Sequence, residues 1–266
     1  MKIKILGTAA AEAWPGLFCN CETCKKVRKL GGKDIRSRAS VIFDGVLLID
    51  GGYDNFMHSL YDNVYFPDIK TVFFTHEHSD HFTPTDFRCF FYNEKSLYGS
   101  EKVIKDMKDY AEIPPIYEGI NVIKPFETVT TADGHTVTSL KAEHNPDQTD
   151  QMNYIVEYEG KTVAYLTDSG LYEDQKTWDF IGRFKFDCVI SECTSGWNPE
   201  PPFYHQTFEG VKKAREILKN MGCITQDTPY YLTHFSHNVK LLHSEICERA
   251  EPFGFIVCYD GMDIEI

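Results

Sequence analysis

The segment Thr75-His76-Glu77-His78-Ser79-Asp80-His81 sets three imidazoles and the Asp80 carboxylate almost side by side. Zinc, manganese and iron all accept these ligand types, so the cluster points to a metal centre without choosing the metal. In extended chain, residues i and i+2 project to the same side, which lets His76 and His78 reach one ion. Asp80 and His81 lie just beyond, where the chain is expected to turn, and can face a second. A lone histidine is most simply a surface or hydrogen-bonded core residue; three beside an aspartate are not. Further ligand types follow apolar stretches: His144 after Val137–Ala142, Asp168 after Val163–Leu166, and His234 after Tyr230–Leu232. Sites in open sheets gather at strand ends of this kind. Taken singly, Asp168 is equally well a turn carboxylate; taken together, these residues match a two-metal site.

A second cluster, Cys19-Asn20-Cys21-Glu22-Thr23-Cys24, brings three thiols together. As thiolates they fill three corners of a tetrahedral zinc site and leave the fourth to another residue. Such a site near 19–24 would tie the N-terminal segment to the body of the protein. Redox sensing is the competing reading. The chain has nine cysteines, an odd count, and those outside the cluster read as core residues of a reducing, cytoplasmic protein.

Short strands and tight turns must position these groups. Ala39–Phe43 and Val46–Ile49 flank Asp44-Gly45, a two-residue hairpin signal. Lys70–Phe74 leads into the histidine cluster as a buried strand, and further strands are expected at Cys188–Ser191 and Phe255–Cys258. Helical spacing runs from Phe208 to Met221, with Thr207 to cap the start and Gly222 the end. Helices are also expected over Lys240–Ala250 and Lys102–Tyr110. The pattern describes layered α and β structure. No repeat or linker divides the chain, so one domain over 1–266 is expected.

Composition narrows the partners. The 266 residues carry 27 Lys and Arg against 40 Asp and Glu, a net charge of −13, and 42% are hydrophobic. That acidity argues against a nucleic-acid polymer or an anionic membrane surface as partner. No apolar run reaches the roughly 20 residues of a membrane span. The apolar N-terminal stretch is interrupted by Lys4 and reads as a first strand rather than a signal peptide.

The set His76, His78, Asp80, His81, His144, Asp168 and His234 resembles that of the metallo-β-lactamase superfamily. The resemblance implies a four-layered αβ/βα sandwich of the α/β class with two metal ions. His76, His78, His144 and Asp168 would bind one ion, and Asp80, His81, Asp168 and His234 the other. Within that superfamily, the cysteine cluster and Thr233-His234-Phe235-Ser236-His237 are similar to the phosphoribosyl 1,2-cyclic phosphate phosphodiesterase group. That likeness gives Cys19, Cys21, Cys24 and His237 to a structural zinc; the plainer reading of His237 is a surface imidazole.

Two ions about 3.5–4 Å apart suit phosphodiester hydrolysis by a hydroxide held between them. The substrate expected is a small cyclic or nucleotide-like ester. His205 is the candidate proton donor to the leaving oxygen, because imidazole titrates near neutrality and related diesterases carry a histidine there. It is equally a first-turn histidine beside Thr207. Asp80 is the other candidate for proton handling. Arg36 and Arg38 are either phosphate donors or a solvated strand end. The loop Trp197–Tyr204 either roofs the site or makes a dimer contact, and a symmetric dimer is the default oligomer. The 145–150 loop is longer and more acidic than the resemblance leads one to expect, and the 92–123 region offers no family motif. The alternatives are tRNA 3′-end nuclease, lactonase, thioesterase, β-lactamase, or a non-enzymatic zinc or redox-sensing protein.

Overall fold

The computed structural model describes residues 1–93, 95–110, 119–144, 150–198 and 204–266, and at 89 and 91–93 the backbone alone. The apolar stretches form two seven-stranded mixed sheets. The first runs in the order Met262–Glu265, Lys2–Gly7, Ser40–Phe43, Leu47–Ile49, Thr71–Phe73, Ser96–Gly99, Ile120–Val122. The second runs Ile256–Val257, Tyr230–Thr233, Cys188–Glu192, Lys161–Leu166, Met152–Tyr158, Thr136–Lys141, Thr128–Thr130.

Uninterrupted apolar strands are explained by burial on both faces. Val41, Phe43, Leu47 and Ile49 point between the sheets and meet Tyr154, Val156, Val163 and Ile190. Their neighbours Ile42 and Leu48 point outward, into a cluster with Val103, Ile104 and Met107 of the helix Glu101–Tyr110. On the second sheet Ile155, Ala164, Val189 and Leu232 pack against the helices Phe208–Asn220 and His243–Ala250 through Phe208, Val211, Leu218 and Ile246. Each such side chain contributes about 1.5–3 kcal/mol on burial. The result is the helix–sheet–sheet–helix sandwich of the metallo-β-lactamase fold.

Local differences from the sequence reading have local causes. The hairpin loop spans three residues, because Val46 N–H donates to the Phe43 carbonyl while Lys70 and Thr71 donate to the Val46 carbonyl. Asp44 and Gly45 both take positive φ, +49° and +74°. Thr207 does cap its helix, accepting from Gly210 N–H at 3.1 Å. The following helix starts at His243 rather than Lys240, which sits in the left-handed region at φ +58°. The helices Glu22–Leu30, Asn55–Tyr61 and Gln175–Ile181 lie where no helix was expected. No helix among the described residues is long and apolar enough to cross a membrane.

At the sandwich end remote from the ligand-bearing strand ends, a buried histidine joins the two sheets. His135 Nε2 lies 2.9 Å from Asp44 Oδ2 of the first sheet's hairpin, and His135 Nδ1 meets Asp133 Oδ2. The ring stacks on Tyr158 with centroids 4.1 Å apart. Only the imidazolium donates from both nitrogens. Burial opposes that charge, but the carboxylates of Asp133 and Asp44 outweigh it and raise the pKa. A raised folded-state pKa gives stability that is complete below the unfolded value of about 6.5 and is lost as pH rises through the folded value. His135→Gln is therefore expected to cost about 3 kcal/mol near pH 6 and less near pH 9. Urea unfolding at both pH values measures this, and equal losses at the two would refute the clasp.

Candidate metal centre and active site

The ligand types converge at one end of both sheets. His76, His78, Asp80 and His81 follow the strand Thr71–Phe73, His144 follows Thr136–Lys141, Asp168 follows Lys161–Leu166 and His234 follows Tyr230–Thr233. Asp168 and His234 both take φ of +56° and Asp50 takes +62°, sparsely populated values that recur at functional sites. Gly52 is needed for close approach, since a Cβ there would lie 2.1 Å from the Asp80 carbonyl oxygen.

One ligand atom from each of His76, His78, His144 and Asp168 lies within 4.8 Å of the others, and the same holds for Asp80, His81, Asp168 and His234. Asp168 joins the sets: its Oδ2 is 3.2 Å from Nε2 of His76, His81 and His144. Neighbouring side chains aim the rings. His76 Nδ1 bonds Thr75 Oγ1 at 2.9 Å, His81 Nδ1 bonds Asp50 Oδ2 at 2.7 Å and His234 Nδ1 bonds Thr194 Oγ1 at 2.7 Å. Each contact leaves Nε2 facing the centre, as outer contacts do for metal-ligating histidines. Thr75 in turn donates to Asp50 through its backbone N–H at 2.8 Å.

Burial lowers the His76 pKa to about 3 and also lowers His144 and His234, keeping these rings neutral. His81 is buried too, but Asp80 and Asp50 raise it well above the ordinary value. Burial works against the Asp80 charge, yet His81 holds that carboxyl below its usual range. His76 Nε2 and Asp168 Oδ1 are buried and, despite contacts of 3.2 and 3.1 Å, make no aligned hydrogen bond among the described residues. Nitrogens of His78 and His144, and of His81 and His234, approach to 3.3 Å. Crowded lone pairs and orphaned buried acceptors are what a bound cation would satisfy. The donor set therefore fits divalent metal ions.

His205 borders this cluster. Its Nδ1 is 3.1 Å from Asp168 Oδ1 and 3.4 Å from both carboxylate oxygens of Glu192. Burial works against its charge, but Glu192 and then Asp168 raise its pKa to about 9. Glu192 is fully buried at the end of the strand Cys188–Glu192, and its carboxylate also accepts from the Ser169 and Gln206 N–H groups. Glu192 and Asp50 were not among the residues singled out from the sequence. Each repeats the signal that marked Asp168, an apolar strand ending in a carboxylate.

Cys19, Cys21, Cys24 and His237 likewise offer atoms within 4.8 Å of one another, with Cys24 Sγ 3.7 Å from His237 Nδ1. Cys24 lies on the helix Glu22–Leu30 and Cys21 caps it, so the cluster is a loop joined to a helical turn. Burial pushes the Cys24 thiol up to about 11, a level at which the thiolate requires a cation beside it. Four convergent S and N donors fit zinc. The eight described cysteines are all free of disulfides.

The arginines lie elsewhere. Arg36 is buried, donating to Thr8 Oγ1 and the Cys258 carbonyl. Arg38 pairs with Asp54 at 3.1 Å. Neither lines the active-site cleft. Trp197 stacks on Phe208, with centroids 4.6 Å apart; residues 199–203 and 145–149 of the two loops noted above, and 94 and 111–118 of the 92–123 region, lie outside the described residues.

The family model for the beta-lactamase superfamily domain matches residues 46–235, a span that holds both ligand sets. The chain belongs to this superfamily. Among solved structures, a diphosphatase of the PhnP family aligns at 22% identity and TM-score 0.75, covering 100% of this chain and 97% of that one. Zn²⁺-bound PqqB from Methylobacterium extorquens aligns at 16% identity and TM-score 0.71 over 100% of both chains. Human tRNase Z, short form, aligns at 16% and 0.65, covering 100% of this chain and 99% of that one. At these identities the likeness is one of fold. No curated protein matches the chain by sequence. The protein is thus a superfamily member of the metal-dependent hydrolase type, with His/Asp clusters suited to metal.

Proposed function

We propose that the protein is a phosphodiesterase that cleaves a small cyclic or nucleotide-like ester in the cytoplasm. The observation that carries this reading is His205, a cationic imidazole beside Asp168 at the edge of a His/Asp centre. The cysteine cluster adds to it, through the likeness to cyclic phosphate phosphodiesterases, as does the fold shared with a PhnP-family diphosphatase. His76, His78, His144 and Asp168 would hold one divalent ion, Asp80, His81, Asp168 and His234 a second, and Cys19, Cys21, Cys24 and His237 a structural zinc. Zinc or manganese suits the first two sites, with iron as a third option. Two such ions would neutralise phosphate oxygens and acidify water. The chain's own part is to hold the rings through Thr75, Asp50 and Thr194, and to donate a proton from His205 to the departing oxygen. Glu192 positions His205 and keeps it charged. Asp80 is the second candidate for moving a proton.

His205→Ala is expected to slow an alkyl or cyclic diester about 10²–10³-fold. A bis(4-nitrophenyl) phosphate, whose leaving group needs no proton, should slow much less. Equal losses on the two substrates, or a drop in metal content, would mean that His205 is not the acid.

We further propose a homodimer through the helix Asn55–Tyr61. Phe56 and Tyr61 are 71% and 74% exposed, and with Met57 and Leu60 they form one face by i, i+4 spacing. Tyr53 and Tyr65, which flank the helix in sequence, are exposed as well, and six such side chains offer on the order of 700 Å² of apolar surface, close to what one partner of a stable interface buries. Light scattering is expected to find a dimer that Phe56→Asp with Leu60→Asp turns into monomer; a monomeric wild type would dismiss it.

A further inference from the structure

The chain turns between Gly16 and Cys19, where Cys19 N–H donates to the Gly16 carbonyl at 2.9 Å. Gly, Pro, Asn, Asp and Ser dominate the centre of such turns, yet this one carries Leu17 and Phe18, 72% and 96% exposed. The turn is firmly held. Arg28 donates to the carbonyls of Cys19, Gly16 and Leu17 at 2.8, 2.7 and 3.3 Å. The His237 ring packs against it, since a Cβ on Gly16 would lie 3.4 Å from that imidazole. Cys19 and His237 both belong to the cysteine cluster. Two large apolar side chains are thus presented to solvent on a rigid mount, so docking them would cost little ordering entropy.

Leu17, Phe18 and Arg38 line one depression, and Arg38 Cζ lies 5.5 Å from the Tyr53 ring centroid while the guanidinium pairs with Asp54 at 3.1 Å. Arg38 therefore stands between this turn and the helix Asn55–Tyr61. The two sides differ in charge. Lys25, Lys26 and Lys29 are exposed on the helix that follows the turn, whereas residues 39–69 hold five aspartates and neither lysine nor arginine. In a two-fold dimer, residue i meets residue j and j meets i. An axis passing by Arg38 would lay the basic-flanked turn of one copy on the acidic-flanked apolar helix of the other, twice over. An anionic lipid surface would suit the lysines but not the aspartates. Leu17 and Phe18 add about 300 Å² to the apolar surface of the helix, which lifts each copy above the roughly 800 Å² per partner of a standard interface.

We propose that Leu17 and Phe18 seat on the helix Asn55–Tyr61 of a second copy of this chain, and that metal on the cysteine cluster holds them in place to do so. This rests on the homodimer reading and adds to it a second contact and its control by metal. Sedimentation velocity over a dilution series of the metal-loaded protein tests it. Phe18→Ser, at an exposed position, is expected to raise the dimer Kd at least about tenfold with metal content unchanged. Cys24→Ser, at a temperature where it stays folded, should raise it by a similar factor. Lys26→Glu with Lys29→Glu should weaken the dimer several-fold at low salt and less at high salt. A wild-type Kd in Phe18→Ser, while Phe56→Asp with Leu60→Asp gives monomer, overturns this contact and leaves the helix interface standing. A wild-type Kd in Cys24→Ser overturns the control by metal. A monomeric wild type dismisses the homodimer and this contact together. If that monomer bound vesicles of phosphatidylcholine and phosphatidylserine and Phe18→Ser did not, the turn would belong to a lipid surface instead.

Discussion

Asp168→Asn is expected to lower diester hydrolysis on the order of 10³-fold and to leave the purified protein short of metal. Asp168 is where the two ligand sets meet. Its Oδ2 lies 3.2 Å from three imidazole nitrogens, and its Oδ1 lies 3.1 Å from His205 Nδ1 and 3.9 Å from His234 Nε2. Asparagine keeps the shape of the side chain and, like aspartate, tolerates the left-handed backbone at φ +56°, so the fold should survive. What it removes is the negative charge that the proposed ions share. One neutral oxygen is a poor bridge between two cations, so at least one site should weaken enough to be lost on dialysis. The same substitution takes a carboxylate from beside His205, leaving Glu192 as its remaining close anion. Elemental analysis and turnover of bis(4-nitrophenyl) phosphate check the two effects separately, with circular dichroism to confirm folding. Full metal content together with more than about a tenth of the activity would show that Asp168 does not bridge.

The residues that gather at this centre were legible because they stand at strand ends, and strand ends are marked by where apolar stretches stop. His144, Asp168 and His234 are each separated from a strand by no more than a few residues, so the sheets bring together positions far apart in sequence. Asp50 and Glu192 occupy equivalent places, but a carboxylate alone carries no spacing pattern. Their roles become visible only when His81 is found 2.7 Å from Asp50 and His205 3.4 Å from Glu192. The helix Asn55–Tyr61 escaped the periodicity reading for a different reason. Its large apolar residues Phe56, Met57, Leu60 and Tyr61 face outward, whereas the buried side of this short helix is made by Asn55 and His58. Helical spacing extends back to Lys240 because Leu241 and Leu242 fit it, while a left-handed Lys240 and the Glu245 carboxylate on Leu242 N–H set the helix boundary at His243. Arg36 shows the converse limit. A buried guanidinium bonded to Thr8 and Cys258 serves the packing of the N-terminal segment, and residue type alone did not separate that from anion binding.

Cys24→Ser is expected to remove one equivalent of zinc and to lower the melting temperature by roughly 10 °C. The cluster ties the first turn of the helix Glu22–Leu30 and the residues just before it to the loop after the strand Tyr230–Thr233, with Cys24 Sγ 3.7 Å from His237 Nδ1. Structural zinc sites supply folding free energy directly, and a change of 1 kcal/mol moves the transition of a protein near this size by about 2–4 °C. Loss of a buried sulfur also costs packing, so Cys223→Ser serves as the control: Cys223 is equally buried, and its Sγ lies 3.6 Å from the Ile181 carbonyl, away from the cluster. Both variants should lose some stability, but only Cys24→Ser should lose metal. His234 is three residues before His237 and is held independently by Thr194 at 2.7 Å. Hydrolysis by Cys24→Ser at low temperature should therefore fall only several-fold, far less than in Asp168→Asn. A wild type with at most two equivalents of metal, unchanged by Cys24→Ser, would rule out a third site. The thiols would then be left to redox chemistry, which a disulfide within Cys19–Cys24 after mild oxidation would reveal.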